Sequence, residues 1–150
     1  MSATKKIKAA IVGYGNIGRY AVEALLASPD FELVGVVRRD ATNIPYELRP
    51  YRVVSSIGEL GQVDVALLCT PTRLVEETAR AILAEGIRTV DSFDIHTDIV
   101  SLRRSLGEVA RRHGVVSVIA SGWDPGSDSV VRTLMEAIVP KGCLLYTSDA

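Results

Sequence analysis

Apolar and polar positions along the chain follow two alternating patterns. Short runs rich in Val, Ile and Leu are separated by longer segments in which apolar residues recur with the period of a helix. The short runs are typical of strands, and the longer segments are typical of amphipathic helices. Strands are predicted at residues 8–12, 31–37, 53–54, 63–68, 89–91 and 115–120, and helices at residues 17–27, 56–60, 72–85, 97–113 and 127–139.

The alternation of strands and helices predicts the fold class. Such an order forms a parallel sheet with helices on both faces, because a helix connects each strand to the next parallel one. The run at residues 63–68 is almost wholly apolar, which is typical of a strand buried on both faces. Residues 40–52 contain Pro45 and Pro50 and are predicted to be an irregular crossing. We therefore predict an α/β, doubly wound parallel sheet.

Composition excludes several classes of protein. Of the 150 residues, 47% are hydrophobic and 23% are charged, which is enough apolar material for a packed core. The net charge of −1 gives no electrostatic basis for nucleic-acid binding. No apolar run reaches the roughly 18 residues of a membrane span, and the N-terminal segment does not resemble a signal peptide. Two cysteines, Cys69 and Cys143, predict neither a disulfide framework nor a metal site, so we expect a reducing cytoplasm.

A glycine-rich motif lies between the first predicted strand and the first predicted helix, Gly13-Tyr14-Gly15-Asn16-Ile17-Gly18. In this context the motif binds a dinucleotide. Its first glycine permits a tight turn, its second lets the pyrophosphate approach the backbone, and its third lets the helix pack on the strand. The helix N-terminus adds free N–H groups for the phosphates. We interpret the domain as a Rossmann-type domain; a plain glycine-rich turn is the alternative.

The end of the second predicted strand bears on the choice of cofactor. NAD-binding domains usually carry an acidic residue about twenty residues past the loop, where it holds the ribose 2′-hydroxyl. Here that place is taken by Arg38 and Arg39, and the first carboxylate is Asp40. Guanidinium groups form bidentate, charge-assisted bonds to phosphate, so the pair favours the 2′-phosphate of NADP. The alternative is a solvated strand end.

Two later strands are followed by small or polar residues that can face the same crevice. After residues 63–68 come Cys69, Thr70, Pro71 and Thr72, which are predicted to line the cofactor, although Thr72 is equally suited to capping the next helix. After residues 89–91 the chain reads Asp91-Ser92-Phe93-Asp94-Ile95-His96. Its aspartates can face a cationic amine or cap the following helix. A lone His at this place is more often structural than catalytic.

The last predicted strand leads into a turn-rich segment, Ser121-Gly122-Trp123-Asp124-Pro125-Gly126. An aromatic residue beside a carboxylate, braced by glycine and proline, suits a substrate site. A tight turn around a core tryptophan is the alternative. The composition alone does not choose between the two.

Together these segments resemble the meso-diaminopimelate dehydrogenases, NADP-dependent amino-acid dehydrogenases of bacterial lysine biosynthesis. The likeness runs from about Lys8 to Gly142. It rests on the glycine motif, on the arginine pair, on residues 69–72 and, most specifically, on the segments at residues 90–96 and 121–126.

The resemblance implies reversible, NADP-dependent oxidative deamination of the D-centre of meso-2,6-diaminopimelate to L-2-amino-6-oxopimelate and ammonia. It implies that Asp91 and Asp124 hold the reacting amine as catalytic residues, and that Trp123 and Gly126 shape the substrate pocket. Asp91 and Ser92 are also expected beside the cofactor. The roles are coherent, because carboxylates stabilise the cationic iminium that forms as hydride leaves. Asp124 is our hypothesis for the general base.

The family's chains are much longer and are expected to be homodimers. After the Gly-Trp-Asp-Pro-Gly motif they build a substrate and dimerisation domain, then return to complete the first domain. We therefore expect a sheet incomplete at its C-terminus, with an NADP-binding domain at residues 1–120 and the start of the second domain at residues 121–150. Residues 143–150 do not continue the family pattern and are interpreted as a truncated gene end.

Two other functions stay open at this point. One is a related amino-acid dehydrogenase or reductase with another small substrate, because Rossmann domains carry many chemistries. The other is a non-catalytic NADP-binding or redox-sensing module. The two aspartates beside Trp123 speak against the second, since a sensor has no need of an amine site.

Overall fold

The structure, a computed structural model, describes residues 5–141. A six-stranded parallel sheet lies at its centre, with the strand order β3-β2-β1-β4-β5-β6. The strands are β1 Ile7–Val12, β2 Phe31–Val37, β3 Val53–Val54, β4 Val65–Leu68, β5 Arg88–Asp91 and β6 Ser117–Val118. The α-helices are α1 Asn16–Ala27, α2 Val75–Ala84, α3 Ile99–His113 and α4 Ser127–Ile138, and short 3-10 turns lie at Tyr46–Leu48, Ile57–Leu60, Thr72–Leu74 and His96–Asp98.

Both faces of the sheet are covered, as the alternation predicted. Along β1, Ala10 and Val12 belong to a core cluster with apolar residues of α2 and α3, whereas Ala9 and Ile11 belong to a second cluster with residues of α1. Successive side chains of a strand point to opposite faces, so the two clusters mark the two sides of the sheet. The predicted α/β, doubly wound Rossmann-type fold is confirmed.

The connectivity changes direction beside β1, and this positions the site. β1 pairs with β2 on one side and with β4 on the other, and the chain crosses from one half of the sheet to the other between β3 and β4. In open α/β sheets this topological switch point leaves a crevice outside the carboxyl ends of the strands. The residues that follow β1, β2 and β4 therefore meet at one edge of the sheet.

Some element boundaries differ from the prediction. The strand predicted at residues 115–120 shortens to Ser117–Val118, because Ala120 turns with a positive φ of 53° and its N–H bonds the Asp91 side chain instead of a strand. The helices predicted from residues 72 and 97 begin with 3-10 turns and become α-helical only at Val75 and Ile99. The segment interpreted as a truncated gene end, and Cys143 within it, lie outside the described residues.

Two further features concern the surface. Within residues 5–141, no helix is both long and apolar enough to cross a membrane. Helix α4 exposes a set of apolar side chains, Val130, Val131, Leu134, Met135 and Ile138.

Candidate functional site

A cleft of about 1060 Å³ lies at the carboxyl ends of β1, β2 and β4. Three segments singled out in the sequence line it: the glycine loop at residues 13–17, the strand end at residues 38–40, and residues 69–71. The volume is in the range of cofactor and small-molecule sites. The topology thus brings together the residues predicted to bind the cofactor, apart from four described below.

The glycine loop is shaped by close backbone packing at its first and third glycines. Gly13 has a φ of +95° and donates its N–H to the Val37 carbonyl at 2.9 Å, and a Cβ there would lie 2.6 Å from the Cys69 carbonyl oxygen. A Cβ on Gly18 would overlap the Gly13 carbonyl oxygen. Gly15 differs, because no atom of the described residues lies within 4 Å of the position of its Cβ. The loop is therefore tight on the protein side and open at Gly15.

The N-terminus of α1 is open as well. Gly15 is its N-cap residue, no side chain in the described part of the chain caps it, and its first turn contains no acidic residue. The first N–H groups of a helix lack intrahelical partners and carry a partial positive charge, which suits an anion. The open space at Gly15 and the uncapped helix fit a pyrophosphate at this place.

The end of β2 supplies cations to the rim of the cleft. Arg38, Arg39 and Asp40 all line it. The Arg38 Nη1 atom donates to the Asn43 carbonyl oxygen at 2.7 Å, which fixes that guanidinium within the loop that follows β2. Both arginines therefore lie at the rim of the cleft, at the end of the strand that carries the ribose-facing residue in Rossmann domains.

The end of β4 adds small side chains to the opposite wall. Burial raises the pKa of the Cys69 thiol to about 11, so the thiol is neutral at physiological pH and is a poor nucleophile. The Thr70 Oγ1 atom is buried and has no hydrogen-bond partner among residues 5–141. Buried hydroxyls normally have a partner, so this atom is available to a ligand in the cleft.

Four residues predicted beside the cofactor do not line the cleft: Gly18, Thr72, Asp91 and Ser92. Gly18 packs beneath the loop. The Thr72 Oγ1 atom donates to Asp94 Oδ1 at 2.6 Å. Neither side chain caps the helix that follows it, so helix capping, the alternative considered for Thr72 and Asp94, is wrong. The hydrogen bond links the segments that follow β4 and β5.

Asp91 lies at the end of β5 and is only 2% exposed. Its Oδ1 atom accepts the N–H groups of Phe93 and Ala120, each at 3.0 Å, and its carbonyl accepts the N–H of Ser121 at 2.8 Å. The Oδ2 atom is buried without a hydrogen-bond partner among the described residues. Asp91 does not cap a helix but ties the segment after β6 to β5, and it keeps one carboxylate oxygen for another donor.

The segment at residues 121–126 forms a tight turn that leads into α4. Gly122 donates to the Pro125 carbonyl at 3.2 Å, and a Cβ on Gly126, whose φ is +141°, would overlap the Gly122 carbonyl oxygen. A Cβ on Gly122 would lie 3.2 Å from that of Ser92. Trp123 is 65% exposed, so the alternative of a core tryptophan is wrong. The turn instead presents its aromatic side chain at the surface.

Asp124 stands in a cluster of charged groups. Its Oδ1 atom lies 3.6 Å from His96 Nε2 and 3.7 Å from Arg132 Nη2, distances that allow ion pairing but not hydrogen bonding. The Arg132 Nε atom lies 3.3 Å from Asp128 Oδ2. Asp124 is thus held between a histidine and an arginine, and its Oδ1 atom retains hydrogen-bonding capacity.

Sequence reasoning missed several of these residues. Arg132 carried a signal, because it lies four positions after Asp128 on a predicted helix, a spacing that favours ion pairs. His96 was set aside as structural, and its approach to Asp124 depends on the tertiary fold. The cleft is also lined by residues that follow β3, end the 3-10 turn before α2, or belong to α2, namely Ser55, Leu74, Glu77, Thr78 and Ala81.

The strand order, the glycine loop opening a helix, and the cleft at the switch point define a dinucleotide-binding Rossmann domain. Residues 7–118 match the oxidoreductase family with an NAD-binding Rossmann fold, and the chain belongs to this family.

Two individual proteins show which members of this family the chain resembles. The chain is 67% identical over 145 residues to the meso-diaminopimelate D-dehydrogenase of Bacteroides fragilis, a match that covers 96% of this chain and 48% of the relative. Among solved structures, the diaminopimelate dehydrogenase of Corynebacterium glutamicum in complex with diaminopimelate shares 33% identity at a TM-score of 0.76, covering 89% of this chain and 41% of the other. The resemblance predicted from the motifs is confirmed.

An engineered D-amino acid dehydrogenase bound to NADP+ is similar to the same degree, with 33% identity and a TM-score of 0.76 over 89% of this chain and 42% of the other. The chain spans about half the length of the curated relatives that it matches.

Proposed function

We propose that this chain binds NADP(H) in the cleft at the carboxyl ends of β1, β2 and β4. The open space at Gly15 and the uncapped N-terminus of α1 support binding of the pyrophosphate. Arg38 and Arg39 support recognition of the 2′-phosphate, because they line the cleft at the end of β2. The similar engineered dehydrogenase that binds NADP+ supports the same cofactor.

The reaction that we propose is the reversible oxidative deamination of the D-centre of meso-2,6-diaminopimelate, which consumes NADP+ and water and forms L-2-amino-6-oxopimelate, ammonia, NADPH and a proton. The single observation that carries this proposal is the 67% identity to a meso-diaminopimelate D-dehydrogenase across almost the whole chain. Because that match spans half of the relative, the activity is proposed for the complete protein to which this sequence belongs. Bound in the cleft at the carboxyl ends of β1, β2 and β4, NADP+ would supply the hydride acceptor for this oxidation.

Asp91 and Asp124, the two predicted catalytic carboxylates, have roles in this proposal that follow from their surroundings. Asp91 and Asp124 hold the substrate amine, and each has a buried oxygen without a hydrogen-bond partner among residues 5–141. Asp124 also accepts the proton from the substrate ammonium, with His96 and Arg132 beside its Oδ1 atom. Trp123 and the turn that Gly126 permits shape the wall of the substrate pocket.

The experiment that tests the reaction measures NADPH formation by the complete product of the gene that encodes this sequence. We expect turnover of meso-diaminopimelate in preference to other D-amino acids. Asp124→Asn should lower kcat by at least about a hundredfold, since general bases contribute that much or more. Asp30→Asn, at an exposed turn before β2, is the matched control and should keep normal kinetics. Absence of turnover with meso-diaminopimelate would contradict the proposal.

We further propose that the protein works in the cytoplasm as a homodimer and that a second domain, of which residues 121–150 are the start, begins at residue 121. The exposed apolar side chains of α4 support an additional packing partner, because large apolar patches mark interaction surfaces. Size measurement of the complete gene product by light scattering tests the dimer.

A further inference from the structure

The loop that follows β2 contains a carboxylate at a place where cofactor choice is made. Asp40 lines the cleft beside Arg38 and Arg39. In NAD-binding domains an acidic residue near this place holds the ribose 2′-hydroxyl, and such a charge opposes a 2′-phosphate. Two opposite roles are therefore open to Asp40, and its contacts decide between them.

The Oδ1 atom of the Asp40 carboxylate is occupied by the loop that follows β2. Its Oδ1 atom accepts the Thr42 N–H at 2.9 Å, the Thr42 hydroxyl at 2.6 Å and the Asn43 N–H at 3.2 Å. A carboxylate oxygen has about two lone pairs, so three donors saturate it. These bonds also lower the pKa of Asp40, the Thr42 hydroxyl contributing most, which keeps the carboxylate ionised.

The same loop holds an arginine of the cleft. The Asn43 carbonyl oxygen, one residue after Thr42, accepts from Arg38 Nη1 at 2.7 Å. Asp40 fixes the backbone at Thr42 and Asn43, and the Asn43 backbone in turn fixes the Arg38 guanidinium. A side chain held in one arrangement loses less entropy when it binds, so the link favours a ligand that Arg38 contacts.

We propose that Asp40 is a specificity-determining positioning residue: its carboxylate orders the loop at residues 40–43, and through the Asn43 carbonyl this loop holds Arg38 for the 2′-phosphate of NADP. The inference rests on the proposed NADP binding and deepens it. A carboxylate that binds the ribose 2′-hydroxyl favours NAD, whereas Asp40 in this role favours NADP.

The test measures dissociation constants of this chain for NADP+ and NAD+ by isothermal titration calorimetry at fixed ionic strength. Asp40→Ala should weaken NADP+ binding by about tenfold, the scale of one or two charge-assisted hydrogen bonds, and change NAD+ binding by less than about twofold. Asp40→Asn should stay within about threefold of the wild type, because the amide oxygen accepts the same N–H groups. Asp30→Ala removes an equal charge at the far end of β2 and should change neither constant.

A double-mutant cycle tests the link itself. If Asp40 acts through Arg38, then Asp40→Ala in an Arg38→Ala background should produce no further loss of NADP+ affinity. Stronger NADP+ binding by Asp40→Ala or Asp40→Asn, or weaker NAD+ binding by Asp40→Ala, would overturn the inference and indicate a ribose ligand. Tight wild-type binding of NADP+ with an unchanged Asp40→Ala would overturn the inference alone. If the wild-type chain did not bind NADP+, the proposed function would fail and the inference with it.

Discussion

At the residue scale, the shape of the cofactor cleft depends on the absence of a Cβ atom at three glycines, Gly13, Gly15 and Gly18. Gly13 and Gly18 are required for packing within the protein, since a Cβ at either would strike backbone atoms. Gly15 has open space instead, and its φ of −101° is one that any residue adopts. The same motif therefore contains two glycines that packing requires and one, Gly15, that borders the space proposed for the ligand.

This difference predicts opposite results for two alanine variants. Gly18→Ala should lower the melting temperature by several degrees, because overpacking costs about 1–3 kcal/mol. Gly15→Ala should change the melting temperature by no more than about 2 °C but weaken NADP+ binding by at least about tenfold, since its Cβ fills the space for the pyrophosphate. Differential scanning calorimetry and titration of both variants provide the comparison. A Gly15→Ala variant that binds NADP+ normally would contradict the proposal that the pyrophosphate lies in the open space at Gly15.

The Cys69 thiol gives a second prediction at this scale. Burial raises its pKa to about 11, so at pH 8 its thiolate population is about a hundredfold below that of a free cysteine. In a Cys143→Ser background, a disulfide reagent should react with Cys69 about that much more slowly than with a free thiol. The rate should keep rising towards pH 11 and not level off near pH 9. A rate close to that of a free thiol would show that the side chain is not buried in solution.

At the element scale, each helix is fixed by the face that it packs on the sheet. Helix α3 buries Leu102, Leu106 and Val109 against the first core cluster and leaves Val100 at the surface. Gly114 ends the helix in the left-handed conformation, with a φ of 67°. Both features follow from local sequence, and for this reason α3 was predicted with nearly correct limits.

The prediction at this scale concerns two positions of α3. Leu106→Ala should lower the free energy of unfolding by about 2–5 kcal/mol, because Leu106 is fully buried and its loss leaves a cavity. Val100→Ala, on the same helix but 60% exposed, should stay within about 0.5 kcal/mol. Urea denaturation followed by circular dichroism measures both. Equal effects at the two positions would show that α3 does not pack as described.

The sequence predicted elements better than their ends. β6 was expected to be three times as long as it is, because the apolar run at residues 115–120 does not reveal that Ala120 and Ser121 bond to Asp91. Among residues 5–141, β6 is also the last strand in the sheet order and pairs with β5 alone. Tertiary contacts of this kind override strand propensity, and no local pattern encodes them.

At the scale of the whole molecule, the fold forms the cofactor cleft and a charged cluster around Asp124. The sequence predicted the residues of the cleft better than those of the cluster. The cofactor cleft could be read from the sequence, since the topology places the ends of β1, β2 and β4 together whenever such a sheet forms. The contacts of Asp124 with His96 and Arg132 could not, because they join the end of the sheet to α4. The sequence likewise did not decide whether Trp123 is buried or exposed, since a turn of this composition occurs both in protein cores and at surfaces.

We propose above that this chain binds NADP(H) as a Rossmann domain, and calorimetric titration of the chain with NADP+ and NAD+ tests this most directly. Two guanidinium groups at the end of β2 should make NADP+ bind at least about tenfold more tightly than NAD+, a difference of about 1.4 kcal/mol. The preference should shrink as salt is added, because exposed charges are screened. Saturable binding with this preference is the predicted result. Tighter binding of NAD+, or no binding of NADP+ by the folded chain, would contradict the account.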